Sequence, residues 1–171
     1  QEQMYYPLEI NLYEKGKITY MRTDSTSLSP EAMEMIKEEV TKLFGENYYL
    51  ARNKTNKVKG AQEAHECIRP TNFTISILNP DFDTNERKLY SLIWKRTMAS
   101  QMAAMIYDVL SVKVGFDKKT DHFKSEFKSL KFNGYNIIYI DSKESGIDGA
   151  ILSEIKKGTE VELKDSTGTM T

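Results

Sequence analysis

Tyr20, Arg22 and Asp24 alternate within the stretch GKITYMRTDSTSLSPEA, Gly16 to Ala32. A tyrosine hydroxyl is a weak nucleophile at neutral pH unless its charge is stabilised or its proton is removed. In an extended segment residues i and i+2 point to the same side. Tyr20 and Arg22 can therefore face one anionic group together, and the planar guanidinium fork suits phosphate oxygens. Asp24, two residues further on, is placed to orient Arg22 or to cap backbone. Thr23, Ser25, Thr26 and Ser27 add hydroxyl donors for phosphate or backbone. The same residues also fit a plainer reading, an aromatic core residue beside a local Arg22–Asp24 ion pair.

His65 and Arg69 form a second candidate pair. One helical turn separates them, so on a short helix both can meet a phosphate. A lone histidine is more often a surface residue or a satisfied core residue. His122, the other histidine, falls in an alternating strand pattern and is expected to face solvent. The stretch RNKTNKVK, residues 52–59, carries Arg52, Lys54, Lys57 and Lys59 with no acidic residue. Its asparagines and Thr55 argue for a loop, either solvated or lying along phosphates. Asp81 and Asp83, two residues apart with Asp and Asn neighbours, are by themselves a weak metal signal, and a solvated acidic turn is the favoured reading. No Gly-rich phosphate loop, HExxH or spaced Cys/His cluster is present.

Composition narrows the classes. The 171 residues are 39% apolar, enough for one sizeable core or two small ones, and the net charge is −1. No global positive field marks a polyanion binder, so such a site must be local. The single Cys67 excludes an intrachain disulfide and a multi-cysteine metal knot. No apolar run approaches the roughly 18 residues of a membrane span. The start, QEQMYYPLEI, has no initiating Met and no signal-peptide pattern. It reads as a piece cut from a longer chain.

Several elements must position these groups. LEINLYEKG reads as a helix ended by Gly16, with Leu8, Leu12 and Tyr5 on one face and KITYM extended after it. Ser29-Pro30-Glu31 is a cap, a first-turn proline and a favourable first-turn charge. With Met33, Ile36, Val40 and Phe44 at helical spacing, it predicts a helix over 30–44 stopped by Gly45. Ala61–Ile68 suggests a short helix ended by Pro70. From Asn85 to Tyr107 the pattern is helical, with Leu89, Leu92, Ile93, Met98, Met102, Met105 and Ile106 as the apolar stripe. Beyond Val109, LSVKVGF and HFKSEFKSLKF alternate with period two, YNIIYI and TEVEL are further strand candidates, and Gly134 marks a tight turn. The expectation is an α+β chain, a mostly helical domain over 1–108 and a β-rich domain over 109–171.

LYEKGKITYMRTDSTSLS, Leu12 to Ser29, closely resembles the active-site segment of type IA DNA topoisomerases. GAQEAHECIRPT, residues 60–71, resembles a second segment of that family, in the right order and separation. LIWKRTMASQM, residues 92–102, is similar to the helix that leaves the active-site domain in the bacterial topoisomerase I branch. Reverse gyrases carry related segments. The resemblance implies an active-site domain with a helix-turn-helix-like core and, after it, the returning half of a β-rich arch. It implies Tyr20 as nucleophile on single-stranded DNA, a 5′-phosphotyrosyl link, strand passage and religation without ATP. Arg22 would hold the phosphate, with His65 bonded to the phosphate backbone. Asp24 would orient Arg22, with Thr23 and Arg69 supporting. Arg52, Lys54, Lys57 and Lys59 are candidates for an electrostatic rim. Mg²⁺ would bind in a separate acidic domain outside this chain, and no metal ligand is expected here. The partners implied are single-stranded or negatively supercoiled DNA and the remaining domains of the polypeptide, with no membrane. The location implied is the bacterial cytoplasm, at the nucleoid. Two other readings remain open, a non-catalytic DNA-binding module and a structural β-rich domain with a helical appendage.

Overall fold

The computed structural model describes residues 2–21, 25–52, 66–115, 122–140, 157–160 and 162. Contacts divide the chain between two compact units. One comprises Gln1–Ala104 with Asn133–Ile140, and the other contains Met105–Phe132.

In the first unit, α1 (Glu2–Glu14) ends in a left-handed turn at Gly16, φ +65°. The Gly16 N–H donates to the Tyr13 carbonyl at 2.8 Å, and the Lys17 N–H to the Leu12 carbonyl at 2.8 Å. This is a Schellman termination, which satisfies two carbonyls the helix would otherwise leave open and reverses the chain. Helix α2 (Pro30–Phe44) starts as its sequence predicts. The Ser29 hydroxyl accepts from the Ala32 N–H at 3.2 Å, and Gly45 closes the far end with φ +105°. Its buried stripe is Ala32, Ile36 and Val40, running through Ala32 instead of Met33.

Helix α3 spans Thr84–Ser100. Asp83 caps it in a capping box with Glu86, so Asp83 serves as helix-start chemistry. Glu86 also accepts from Lys15 Nζ at 2.9 and 3.1 Å, which ties the end of α1 to the start of α3. That hydrogen bond holds the Glu86 carboxyl below its ordinary pKa, against the opposing effect of burial. Leu89, Tyr90, Trp94 and Met98 face the core, while Leu92, expected in the apolar stripe, faces outward. They pack with Leu12, Ile18, Ile36, Val40, Phe73, Leu78, Met102 and Ile138.

The helix expected to reach Tyr107 stops at Ser100, for a tertiary reason. Met102 pairs with Tyr49 in an isolated bridge, and the Ala103 N–H donates to the Tyr48 carbonyl at 2.8 Å. The Ala103 N–H thus takes the Tyr48 carbonyl in place of the Ala99 carbonyl that a longer helix would offer it, while the Met102 N–H makes a last i−3 bond to Ala99 at 3.2 Å. The segment YNIIYI, read as strand, instead forms most of a 3₁₀ turn over Gly134–Ile138 that buries Ile138 in the helical core. Its start is tight. Gly134 has φ +47°, and a Cβ there would lie 2.5 Å from the carbonyl oxygens of Ala103 and Ala104. Gly134→Ala is therefore expected to lower stability by about 2–4 kcal/mol, through left-handed strain and overpacking. Urea unfolding should show a lower midpoint with an unchanged slope.

The second unit contains a hairpin, β1 (Ile106–Gly115) antiparallel to β2 (His122–Phe132). Its register pairs Leu110 with Phe127, Val112 with Ser125 and Val114 with Phe123 on one face. Ser111–Glu126, Lys113–Lys124 and Gly115–His122 occupy the other. The period-two pattern thus sorts into an apolar and a polar face, and His122 is exposed. Of the candidate strand TEVEL, residues 159–163, Thr159, Glu160 and Glu162 are described, and none of the three lies in a strand.

Candidate active site

Tyr20 follows a short extended segment that is pinned to a distant part of the chain. Ile18 and Pro70 form an antiparallel bridge. The Thr19 N–H donates to the Arg69 carbonyl at 2.9 Å, and the Thr71 N–H to the Lys17 carbonyl at 3.1 Å. The Thr71 hydroxyl donates to the Gly16 carbonyl at 2.8 Å. The Thr19 hydroxyl works in both directions, donating to the Cys67 carbonyl at 2.8 Å and accepting the Arg69 N–H at 2.9 Å. Every bond in this zipper joins the segment carrying Tyr20 to the segment that follows His65 in sequence. The two stretches singled out by their residue types are therefore neighbours in space.

A second clamp lies at the helix entrance beyond Tyr20. The Cys67 N–H donates to the Ser27 carbonyl at 2.9 Å, and the Ser29 N–H to Glu66 Oε1 at 2.8 Å. Glu66 also holds Arg69 by two parallel bonds, Nε at 2.6 Å and Nη2 at 2.9 Å. Arg69 Nη1 donates to the Pro70 carbonyl at 2.9 Å, and its guanidinium lies 5.7 Å from the centre of the Phe73 ring. Arg69 is thus committed to ordering its own segment. The short helix expected over Ala61–Ile68 has only Glu66–Ile68 among the described residues, and these are not helical. Their backbone and carboxylate bonds go to Ser27, Ser29 and Thr19 instead.

Burial by itself would raise the Glu66 pKa. The Arg69 hydrogen bonds, the Ser29 bonds and the Arg69 charge outweigh it and hold the group below its ordinary 4.5. Its contribution to stability is therefore complete above that value and disappears as pH falls through the lowered folded-state value. Glu66→Gln is expected to cost about 1–2 kcal/mol at neutral pH, the scale of a charge-assisted bidentate bond. The difference from the unsubstituted chain should shrink below pH 4.5, as read from denaturation across a pH series. Burial, then the Glu66 charge, pushes the adjacent Cys67 thiol above its ordinary value, so it is not activated as a thiolate.

Tyr20 is 47% exposed, and its ring meets Tyr13 edge to face. Arg22, Thr23, Asp24, Lys54, Lys57, Lys59 and His65 lie outside the described residues. Arg52 is described and exposed, and its backbone is fixed at both polar atoms by one side chain. Gln101 Oε1 accepts its N–H at 2.9 Å, and Gln101 Nε2 donates to its carbonyl at 3.1 Å. Gln101, at the end of α3 and 3% exposed, thus anchors the start of the basic stretch. Sequence reasoning missed Thr19, Glu66 and Gln101 as positioning groups. Only Glu66 left a local signal, its i, i+3 spacing to Arg69. Among the described residues no group of three or more His, Cys, Asp or Glu side chains gathers to hold a metal ion.

A half-exposed tyrosine on a pinned strand, a helical core and an attached β-hairpin define the class of protein once relatives are compared. A family model described as DNA topoisomerase matches residues 9–170. The chain belongs to the bacterial type IA DNA topoisomerases, of which it is an active-site core fragment. It is 42% identical over 139 residues to the DNA topoisomerase 1 of Mycolicibacterium smegmatis, covering 77% of this chain and 15% of that protein. It is 34% identical over 170 residues to the DNA topoisomerase 1 of Rickettsia felis, covering 96% of this chain and 22% of that protein. Among solved structures, the full-length topoisomerase I of Thermotoga maritima superposes with a TM-score of 0.57 at 33% identity. The match covers 77% of this chain and 21% of that one. The chain therefore spans about a fifth or less of the proteins it resembles.

Proposed function

We propose that this chain supplies the nucleophile half of a type IA topoisomerase site that cuts, passes and reseals DNA strands to relax negative supercoils. The observation that carries the proposal is the bonded strand pair that joins the Tyr20 segment to residues 66–71. It holds a half-exposed phenol on rigid backbone in a chain whose relatives are topoisomerases.

The Tyr20 oxygen attacks a backbone phosphorus of single-stranded DNA. The new O–P bond forms as the bond from phosphorus to the 3′ oxygen breaks. The tyrosine loses its proton, the 3′ oxygen gains one, and the product is a 5′-phosphotyrosyl link with a free 3′-hydroxyl. The reverse exchange reseals the strand, so bond energy is retained and ATP is not needed. Arg22 holds the phosphate and offsets charge that develops on its oxygens. His65 bonds the phosphate backbone and is the group placed to move a proton. Asp24 and Thr23 orient Arg22, and Arg69 keeps the strand pair in order. Arg52, Lys54, Lys57 and Lys59 form the rim that attracts the DNA backbone, so binding weakens as salt rises. Phosphate contacts dominate, and base recognition is modest.

The resemblance to the family assigns Mg²⁺, and the acidic domain that holds it, to the remainder of the polypeptide, and no step above runs through the metal; among the described residues no group of three or more candidate ligands gathers. The protein would work at the bacterial nucleoid. Matches to proteins called DNA topoisomerase 1 favour that branch over a reverse gyrase parent. The test supplies this chain with its upstream domain, a single-stranded oligonucleotide and Mg²⁺. A covalent adduct mapping to the Tyr20 peptide is expected. The chain alone should not relax a supercoiled plasmid, and robust relaxation by it would overturn the split of the site between domains.

A further inference from the structure

The side of α3 turned away from the core is basic, and the helix sets no acidic residue on it. Helix α3 has Arg87, Lys88, Lys95 and Arg96 against one acidic residue, Glu86. Glu86 lies on the buried side and is committed to Lys15 at 2.9 Å. Leu89, Tyr90, Trp94, Thr97 and Met98 mark the same buried side. At about 3.6 residues per turn, Lys88, Leu92, Lys95 and Arg96 share the opposite one. Lys88 and Arg96 are exposed, and Lys95 is half-buried. Arg87 falls between the two sides and turns back within its helix, Nη2 donating to Thr84 Oγ1 at 3.3 Å. Among the described residues no ion pair includes Lys88, Lys95 or Arg96, although Lys15, Lys37, Lys42 and Arg69 each have one.

Helix α2 shows the contrasting case. Its four glutamates outnumber its two lysines, and both lysines are paired within the helix, Lys37 to Glu34 at 3.0 Å and Lys42 to Glu39 at 3.5 Å. In a chain of net charge −1, the uncompensated cations of α3 make a local positive field, which concentrates a polyanion. The face does not resemble the centre of a permanent domain contact, which is apolar and depleted of charge. Leu92 is the one large apolar side chain that α3 exposes.

We propose that the outward side of α3 is a further DNA contact, in which Lys88, Lys95 and Arg96 bind phosphates of the DNA backbone. This rests on the reading of the chain as part of a DNA-cleaving enzyme, and it adds to the rim proposed at residues 52–59. From Lys88 to Arg96 the helix rises about 12 Å, enough to meet several phosphates of one strand, which follow at about 3.4 Å along a duplex axis. The contact adds affinity and orients the DNA, and it carries no base recognition.

The full-length enzyme provides the test. Fluorescence anisotropy measures its binding to a single-stranded oligonucleotide and to the matching duplex over a NaCl series, without Mg²⁺. The triple variant Lys88→Gln, Lys95→Gln, Arg96→Gln is expected to flatten the slope of log affinity against log salt by about 2 on the single strand and about 3 on the duplex. A fall on one form only supports the contact and names the form it takes. Glutamine keeps helix propensity, and each single substitution should lower the slope by about 0.7 on the single strand, so the test does not hang on the folding of the triple variant. Lys37→Gln with Lys42→Gln on α2 should leave the slopes unchanged, and an equal fall there overturns the proposal as an effect of bulk charge. A lower urea midpoint with unchanged slopes gives the face to another domain of the polypeptide and overturns it as well. The Tyr20 adduct is scored on the unsubstituted enzyme alongside. An adduct with unchanged slopes overturns the α3 contact and leaves the proposed cleavage standing, whereas no adduct with flattened slopes removes the cleavage reading and keeps the contact.

Discussion

Tyr20→Phe in the full-length enzyme is expected to abolish the covalent DNA adduct and leave most of the DNA binding in place. The substitution removes one oxygen, the atom that would bond to phosphorus, and no other group in the zipper around it can take over that bond. Thr19, the adjacent hydroxyl, donates to the Cys67 carbonyl and accepts the Arg69 N–H, so it is committed to structure. The loss should exceed about 10⁴-fold in cleavage rate, as expected when the nucleophile of a covalent mechanism is deleted. The backbone bonds at Lys17, Thr19 and Thr71 do not involve the phenol, and a phenylalanine ring keeps the contact with Tyr13. Affinity for oligonucleotide should therefore change by no more than about twofold, since phosphate contacts supply most of it. Denaturing gels of the labelled adduct, beside a filter-binding titration, separate the two quantities. An adduct at the same peptide in the Phe variant would show that the nucleophile has been misassigned.

Trp94→Ala should be the most damaging single change to the fold, at about 3–5 kcal/mol. Trp94 is 6% exposed in the middle of α3, and its Nε1–H donates to the Phe73 carbonyl at 2.8 Å. Truncation opens a cavity and leaves that buried carbonyl without its donor, and the two costs add. One turn earlier, the Tyr90 hydroxyl donates toward the carbonyls of Ile75 at 2.9 Å and Asn72 at 3.2 Å. Together the two aromatic donors bind α3 to the segment that continues directly from Thr71, the last residue of the zipper beside Tyr20. Losing the tryptophan should therefore loosen the support of the site as well as the core. Far-UV circular dichroism during urea unfolding measures the stability, and Trp94→Phe should recover the packing while missing the hydrogen bond. Recovery of full stability by the Phe variant would show that the bond to Phe73 contributes nothing. The same core gives an alkaline signature. Burial raises the Tyr90 pKa from 10 to about 12, so the fold keeps its proton longer than the unfolded chain and loses stability as pH climbs through that window.

The contrast between α2 and α3 shows where reading a sequence works. Both ends of α2 are encoded locally, in Ser29-Pro30-Glu31 and in Gly45, because caps act through atoms a few residues away. The start of α3 at Asp83 is equally local. Its end is not. Ala99, Met102, Ala103 and Met105 have good helical propensity, yet the Ala103 N–H donates to the Tyr48 carbonyl and the Gln101 carbonyl accepts from the Leu50 N–H, about fifty residues upstream. YNIIYI has the composition of a strand, but the pocket under Ala103 and Ala104 admits only a left-handed glycine turn, and Ile138 finds the helical core. Propensity is a weak force, and tertiary burial overrides it.

By itself the sequence determined the family, the α+β class, the caps of α2, the Gly16 turn and Tyr20 as the residue to ask about. These follow from residue types and short spacings, which act over a few bonds or leave a recognisable motif. Only the tertiary structure decided that residues 66–71 pair with the Tyr20 segment and that Glu66 accepts the Ser29 N–H. It also decided that Gln101 holds Arg52 and that Tyr13 meets Tyr20. Those relations depend on where a hydrogen-bonding group or ring finds its partner after the core has formed, and spacing along a chain carries no record of that.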